Sequence, residues 1–220
     1  MRNTLVTGAN RGIGLALCEV FKGRGDHVIA ACRSSSPALD ALGVEVVNGV
    51  DVAEPAGIAR LVASVGERHV DWLVNNAGIM QRLGLDNLDV AAIRRQFEVN
   101  ALGPLLVTAA LRHRLRSGSK VGLITSRMGS IGDNSSGSHY GYRMSKAALN
   151  IAGVSLARDL AQQGVAVAIL HPGMVETDMI RGHGQVQPLD AARGLIARLD
   201  ELTLESSGGF WHANGERLPW

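Results

Sequence analysis

Short apolar runs rich in β-branched residues alternate along the chain with longer segments of helical periodicity. In chain order the strand candidates are TLVTG, HVIAAC, VEVV, VDWLVNN, KVGLITS, VAVAIL and GGFWH. Helices are predicted near residues 12–24, 54–66, 89–116 with a break, 142–163 and 188–199. Because strand, helix and strand in succession form right-handed crossovers, this alternation predicts an α/β protein with a mainly parallel, doubly wound sheet.

Composition agrees with a globular α/β protein and argues against several classes of partner. The chain has 220 residues, of which 46% are hydrophobic and only 4% aromatic, so we expect one domain over residues 1–220 with an aliphatic core. A net charge of +2 with no basic run gives no reason to expect nucleic acid or a membrane surface as partner. No apolar stretch approaches a membrane span and no signal region is visible, so we expect a cytoplasmic protein.

Cysteine and histidine usage predicts no metal site. Cys18 and Cys32 each lie in an apolar periodic segment, where a buried thiol acts as a small hydrophobic residue. The seven histidines show no spacing typical of metal ligands.

The segment TGANRGIG follows the first predicted strand and opens the first helix. Its glycines, Gly8, Gly12 and Gly14, would let the backbone approach a pyrophosphate, and a helix N-terminus offers free N–H groups to it. On its own the segment is equally compatible with a tight strand-to-helix turn. Its place after the first strand favours a nucleotide site.

The end of the second strand bears on the choice of nucleotide. An NAD site needs a carboxylate there for the ribose 2′-hydroxyl. This chain instead has ACRSSS, so that Arg33, together with Arg11 in the glycine loop, offers two guanidinium groups suited to a 2′-phosphate. The sequence therefore favours NADP(H); the alternative is two exposed arginines near a helix start.

Two further strand ends carry polar residues. Asp51 can cap the next helix or accept a hydrogen bond from an adenine amino group. NNAG at residues 75–78 is an ordinary turn when taken alone, but Gly78 would also let the chain pass close to a cofactor ribose.

The segment YGYRMSKAALN contains a tyrosine and a lysine on one helical face. Tyr142 and Lys146 are four residues apart, whereas Tyr140 points elsewhere. An ammonium beside a phenol favours the phenolate, which predicts a Tyr142 pKa below its ordinary value of about 10. The alternative is a packed ring beside a lysine that extends to solvent.

A serine at the end of VGLITS gives this pair a chemical context. We expect Ser126 to lie on the crevice floor, facing Tyr142 and holding a carbonyl oxygen that the phenol protonates. Ser130 is the competing hydroxyl and is more typical of a loop residue.

Together these motifs resemble the short-chain dehydrogenase/reductase family. They appear in order as TGxxxGxG at residues 7–14, Asp51, NNAG, Asn100, Ser126, YxxxK at residues 142–146 and Pro172-Gly173. SRMGSIGDNSSG, HPGMVETDM and NGERLPW are similar to the compact carbonyl reductase branch that contains sniffer and the C-factor-like proteins. The resemblance implies a Rossmann fold with a seven-stranded parallel sheet in a three-layer αβα sandwich. The interval from Ser126 to Tyr142 is longer than the family's usual spacing.

The resemblance also implies residue roles. In the implied tetrad Tyr142 is the general acid/base, Ser126 orients the substrate, Lys146 binds the nicotinamide ribose and tunes Tyr142, and Asn100 holds a water. Thr177 would bind the nicotinamide carboxamide. The implied cofactor-binding residues are Gly8, Asn10, Arg11, Gly12, Ile13, Gly14, Arg33, Asp51, Val52, Asn76, Ala77, Gly78, Asn100, Tyr142, Lys146, Pro172, Gly173, Val175 and Thr177.

The implied activity is NADP(H)-dependent reduction of an aldehyde or ketone, or the reverse oxidation of an alcohol. Enoyl reduction is disfavoured, because the position seven residues before Lys146 is His139 rather than a tyrosine. Met80, Met128, Met174 and Met179 either line the substrate pocket or fill the core. We expect a homodimer or homotetramer that pairs the helices near residues 101–116 and 142–163. The alternative function is an NADP-binding signalling or regulatory protein on the same scaffold.

Overall fold

The computed structural model describes residues 1–180 and 182–220. Its strands form one parallel sheet of seven, in the order β3-β2-β1-β4-β5-β6-β7. Their bounds are β1 Asn3–Thr7, β2 His27–Ala31, β3 Glu45–Val47, β4 Trp72–Asn75, β5 Lys120–Ile124, β6 Ala166–His171 and β7 Phe210–His212. The strand order reverses between β1 and β4, where open α/β sheets form their ligand crevice. The predicted Rossmann-type fold is confirmed.

Seven α-helices are found in the described residues. Their bounds are α1 Gly12–Gly23, α2 Pro37–Ala41, α3 Pro55–Val65, α4 Val90–Phe97, α5 Gly103–Leu111, α6 Tyr140–Ala161 and α7 Pro188–Glu201. The sequence patterns missed α2, because five residues are too few to show a helical period. Helix α6 also begins two residues earlier than predicted, directly after His139.

Alternate residues of the buried strands face opposite layers of helices. Leu5 belongs to the core on one face, with side chains of α3, α5 and α6, and Val6 belongs to the core on the other, with side chains of α1 and α7. Cys18 and Cys32 lie in the second core as free, buried thiols, as predicted. Because both faces of the sheet are buried, the strand sequences are continuous apolar runs rather than alternating ones.

The predicted break in the helix near residues 89–116 is a π-helical turn at Glu98–Leu102, between α4 and α5. Gly103 follows it, and a Cβ atom there would lie 2.8 Å from Val52 Cγ2, so close packing requires the glycine. The turn directs Asn100 into the protein interior, where its side chain is fully buried. Such π-helical insertions often occur at functional sites.

No helix in the described part of the chain is long and apolar enough to cross a membrane.

Candidate active site

A cavity of about 690 Å³ opens at the carboxyl ends of the strands. Its wall contains every residue that the sequence assigned to cofactor or substrate, with one exception: Asn100 lies behind the wall. Ser130 is also outside the cavity, and its hydroxyl oxygen accepts a hydrogen bond from the Asp133 N–H at 3.0 Å. The parallel topology thus brings these distant motifs to one site.

The glycine loop between β1 and α1 is held tightly against the segment that follows β4. A Cβ atom on Gly8, whose φ is 66°, would lie 2.8 Å from Ala77 Cα, and one on Gly14 would lie 2.1 Å from the Gly8 carbonyl oxygen. The Asn76 amide donates to the carbonyl oxygens of Thr7 (3.0 Å) and Gly8 (3.1 Å). No side chain of the described residues caps the α1 N-terminus, so its N–H groups remain available to an anion.

Two arginines line the cavity beside the ends of β1 and β2. Arg33 takes the place where an NAD site has a carboxylate, and Arg11 forms an exposed ion pair with Asp178 at 3.2 Å. The cavity wall and its charges therefore fit a dinucleotide whose ribose carries a 2′-phosphate.

Asp51 is fixed by two partners at the same end of the cavity. One carboxylate oxygen accepts from the Ala53 N–H at 3.0 Å and the other from the Arg95 guanidinium at 2.6 Å. Arg95 itself lines the cavity, and sequence reasoning missed it. Nothing in the sequence around Arg95 indicates this pairing, which depends on how α4 packs.

Tyr142 is buried, with 8% of its surface exposed, and its phenol lies near the Ser126 hydroxyl. The Ser126 oxygen also accepts from the Met128 N–H at 3.1 Å. Burial raises the pKa of Tyr142 to about 12, and the nearby Ser126 hydroxyl opposes that shift only in part. The expected lowering of this pKa was wrong for the protein alone, because desolvation of the phenolate dominates.

The Lys146 side chain extends from α6 and lies near the Tyr142 ring. Its ammonium lies 5.7 Å from the centre of the Tyr142 ring and donates to the Ile124 carbonyl oxygen at 2.9 Å. Burial lowers the pKa of Lys146 to about 8. The lysine is therefore a cation near neutral pH that titrates far more readily than a surface lysine.

Asn100 joins the end of β4 to α6. Its side-chain oxygen accepts from the Ile79 N–H, and its nitrogen donates to the Ile79 carbonyl oxygen, both at 2.8 Å. The same nitrogen donates to Ser145 Oγ at 3.0 Å, and Ser145 lies three residues after Tyr142 and directly before Lys146. Asn100 thus fixes the loop after β4 relative to the helix that carries the tyrosine.

The cavity wall also contains four methionines and several basic side chains. Met80, Met128, Met174 and Met179 all line it, so the pocket alternative for these methionines is confirmed. Sequence reasoning did not assign these basic residues of the cavity wall, which include Arg82, Arg127, His139 and His183.

His171 and His212 form a second unassigned feature, at the ends of β6 and β7. Their rings pack edge to face with centres 4.9 Å apart, and His171 lines the cavity. Burial, assisted by nearby positive groups, lowers the pKa of His171 to about 3. Its Nδ1 is enclosed and has no hydrogen-bond partner within the described chain.

Known proteins share both this sequence and this fold. The 1-hydroxy-2-glutathionyl-2-methyl-3-butene dehydrogenase of Rhodococcus sp. (strain AD45) is 44% identical over 226 aligned positions, which cover 100% of each chain. The C-signal of Myxococcus xanthus is 44% identical over 154 positions, 69% of this chain and 93% of that protein.

Among solved structures, the NADPH-bound carbonyl reductase from chicken fatty liver superposes with a TM-score of 0.89 at 29% identity, covering 100% of this chain and 99% of that one. The family model of the short chain dehydrogenases matches residues 2–187. As the ordered motifs predicted, the chain belongs to the short-chain dehydrogenase family.

Proposed function

We propose that the protein is an NADP(H)-dependent oxidoreductase that interconverts a carbonyl group and an alcohol. The observation that carries this proposal is the grouping of Ser126, Tyr142 and Lys146 in the wall of the same cavity as the glycine loop. A proton donor and a dinucleotide cradle would then serve one substrate.

Each part of the cofactor has a matching part of the wall. The N-terminus of α1 and the loop at Gly8 to Gly14 would hold the pyrophosphate, and Arg11 and Arg33 the 2′-phosphate. Asp51 and Val52 would meet the adenine, Asn76 to Gly78 and Lys146 the riboses, and Pro172 to Thr177 the nicotinamide. When bound, the cofactor supplies or accepts the hydride.

The side chains of this chain would handle the proton. Ser126 donates a hydrogen bond to the substrate oxygen and fixes it near the phenol, and Tyr142 gives that oxygen its proton during reduction. A raised pKa suits this role, since the phenol keeps its proton until the substrate oxygen becomes basic. The Lys146 ammonium stabilises the negative charge that then develops on the phenol oxygen.

The names of two similar proteins support a reaction between a carbonyl compound and an alcohol. The chicken structure is a carbonyl reductase with NADPH, and the Rhodococcus protein is named as the dehydrogenase of a hydroxy compound bearing a glutathionyl group. Both activities act on the same functional group in opposite directions.

A signalling role is the second candidate, and the likeness to C-signal over 69% of the chain favours it. In that case cofactor occupancy, rather than turnover, would be what a partner recognises. The tyrosine test below distinguishes the two, because a binding module needs no proton donor.

Replacing the proposed proton donor tests the mechanism directly. We expect Tyr142→Phe to slow carbonyl-dependent NADPH oxidation about 100-fold or more, since a general acid contributes at least that much. NADPH binding, followed by fluorescence titration, should persist.

Tyr140→Phe is the matched control, because Tyr140 lies on the same helix at the surface with 36% of its area exposed. Full turnover in Tyr142→Phe, or an equal loss in both variants, would contradict the assigned role.

A further inference from the structure

We propose that the part of the cavity wall formed by Arg82 and His139 binds a carboxylate of the substrate, so that the enzyme prefers aldehydes, ketones or alcohols that carry an anionic group. Arg82 is the principal partner of that carboxylate, and His139 assists it. The inference rests on the proposed function and names the substrate class of the same site.

Arg82 and His139 lie on two adjoining segments of the cavity wall. The Tyr140 N–H donates to the Leu83 carbonyl oxygen at 3.3 Å, which joins the segment after β4 to the start of α6. A Cβ atom on Gly84 would lie 3.5 Å from Ser138 Oγ, so the two segments are in contact. The arginine and the histidine are therefore presented side by side.

The positive charge of Arg82 is not balanced by a carboxylate of the described chain. Among the described residues, no carboxylate oxygen lies within 4.0 Å of the Arg82 guanidinium. Arg127, which also lines the cavity, differs because it pairs with Asp133 at 2.7 Å and Glu216 at 3.0 Å. A ligand carboxylate would find its counter-charge at Arg82 rather than at Arg127.

Two arginines, Arg82 and Arg143, influence the charge state of His139. The pKa of His139 is lowered by burial and then by the positive charges of Arg82 and Arg143. The His139 ring is consequently neutral near pH 7 and can donate one hydrogen bond. Its Nδ1 is enclosed without a partner in the described chain.

The backbone is strained at His139 and at the residue before it. Ser138 and His139 have φ angles of 55° and 52°, in the left-handed region that residues with a side chain rarely adopt. Arg143 holds the strained loop, because its guanidinium donates to the carbonyl oxygens of Gly137 (3.0 Å) and Ser138 (3.2 Å) and to Ser136 Oγ (2.8 Å). Strain maintained in this way commonly marks a functional position.

The apolar wall defines the remainder of the substrate. Met80, Met128, Met174 and Met179 line the same cavity as Arg82. Methionine side chains adapt to ligands of different shape. The substrate class is therefore a carbonyl or alcohol at Tyr142, an apolar body, and a carboxylate at Arg82.

The test compares acids with their own methyl esters, which keep the reacting carbonyl and remove the charge. The probes are terephthalaldehydic acid and a longer formylphenoxybutanoic acid, each beside its ester, in steady-state NADPH oxidation. We expect kcat/KM to favour at least one acid by about tenfold or more, mainly through KM and less strongly at high salt.

Arg82→Gln should remove that preference by lowering kcat/KM for the acids about tenfold or more, with a smaller change for the esters. Arg158→Gln is the matched control, because it makes the same change of charge at an exposed position of α6 away from the cavity. Arg82→Lys should restore part of the preference, since it keeps the charge but not the planar fork.

The possible failures are distinguishable. Equal kcat/KM for both acids and their esters, or an acid preference that survives Arg82→Gln, would overturn the carboxylate site and leave the proposed function standing. Absence of NADPH oxidation with all of these aldehydes would overturn the proposed function itself.

Discussion

At the scale of the residue, burial determines the charge of several groups that line the cavity. Burial keeps the Tyr142 phenol protonated, brings the pKa of the Lys146 ammonium to about 8, and keeps His171 neutral. These directions follow from the cost of placing a charge in a poorly solvated cavity. They have consequences for stability as well as for catalysis.

His171 should make the protein sensitive to acid. Its pKa is about 3 when folded and near 6.5 when unfolded, so the unfolded chain binds the extra proton between these values. The free energy of unfolding should therefore fall as the pH falls below 6.5, by about 2 kcal/mol at pH 5 from this group. Urea unfolding at pH 7 and pH 5 measures the loss.

In His171→Gln that loss should be smaller than in the wild type. His113→Gln is the control, since His113 is exposed. If all three proteins lose the same stability between the two pH values, His171 is not the responsible group. His212, Arg127 and Lys146 are the neighbouring basic groups whose charges add to the effect.

At the scale of the element, the loops after β1 and β2 should decide which cofactor is used. Arg33→Ser should weaken NADPH binding roughly tenfold or more, because a charged hydrogen bond to phosphate is lost, and should leave NADH binding nearly unchanged. Arg11→Ser should have the smaller effect, since Arg11 already pairs with Asp178. Titration of both nucleotides, with Arg158→Gln as control, checks this; equal use of NADH and NADPH by the wild type would refute it.

Features that depend on local sequence patterns could be predicted, whereas contacts between distant segments could not. The strands, the glycine loop and the pairing of Tyr142 with Lys146 were predictable, because each depends on local periodicity or on a spacing of four residues. Asp51 and Arg95 are 44 residues apart, and His171 and His212 are also distant in the sequence, so their meeting depends on tertiary packing. The depth of burial, which raises the Tyr142 pKa, is likewise absent from the local pattern.

At the scale of the whole molecule, one outer surface remains apolar. Leu102, directly before α5, is 39% exposed, and Leu106 within α5 is 47% exposed. On α6, Met144 is 55% exposed and Ile151 is 66% exposed. These helices correspond to the segments near residues 101–116 and 142–163, for which we expect pairing between subunits. Exposed apolar side chains on adjacent helices favour association.

We therefore expect a homodimer or homotetramer, with Ile151→Glu reducing the mass measured by light scattering. A buried charge without a partner would oppose that interface. Ile131→Glu is the control, because Ile131 is 82% exposed on the loop before α6 and away from both helices. A wild-type monomer at micromolar concentration would contradict this expectation.

The π-helical turn at Glu98–Leu102 holds one residue more than an α-helical turn would. Losing a single amino acid there would let α4 and α5 merge into one straight rod, and Asn100 would rotate away from Ile79. Such a deletion changes the helix lengths very little. It would nevertheless separate the loop after β4 from α6, the helix that carries Tyr142.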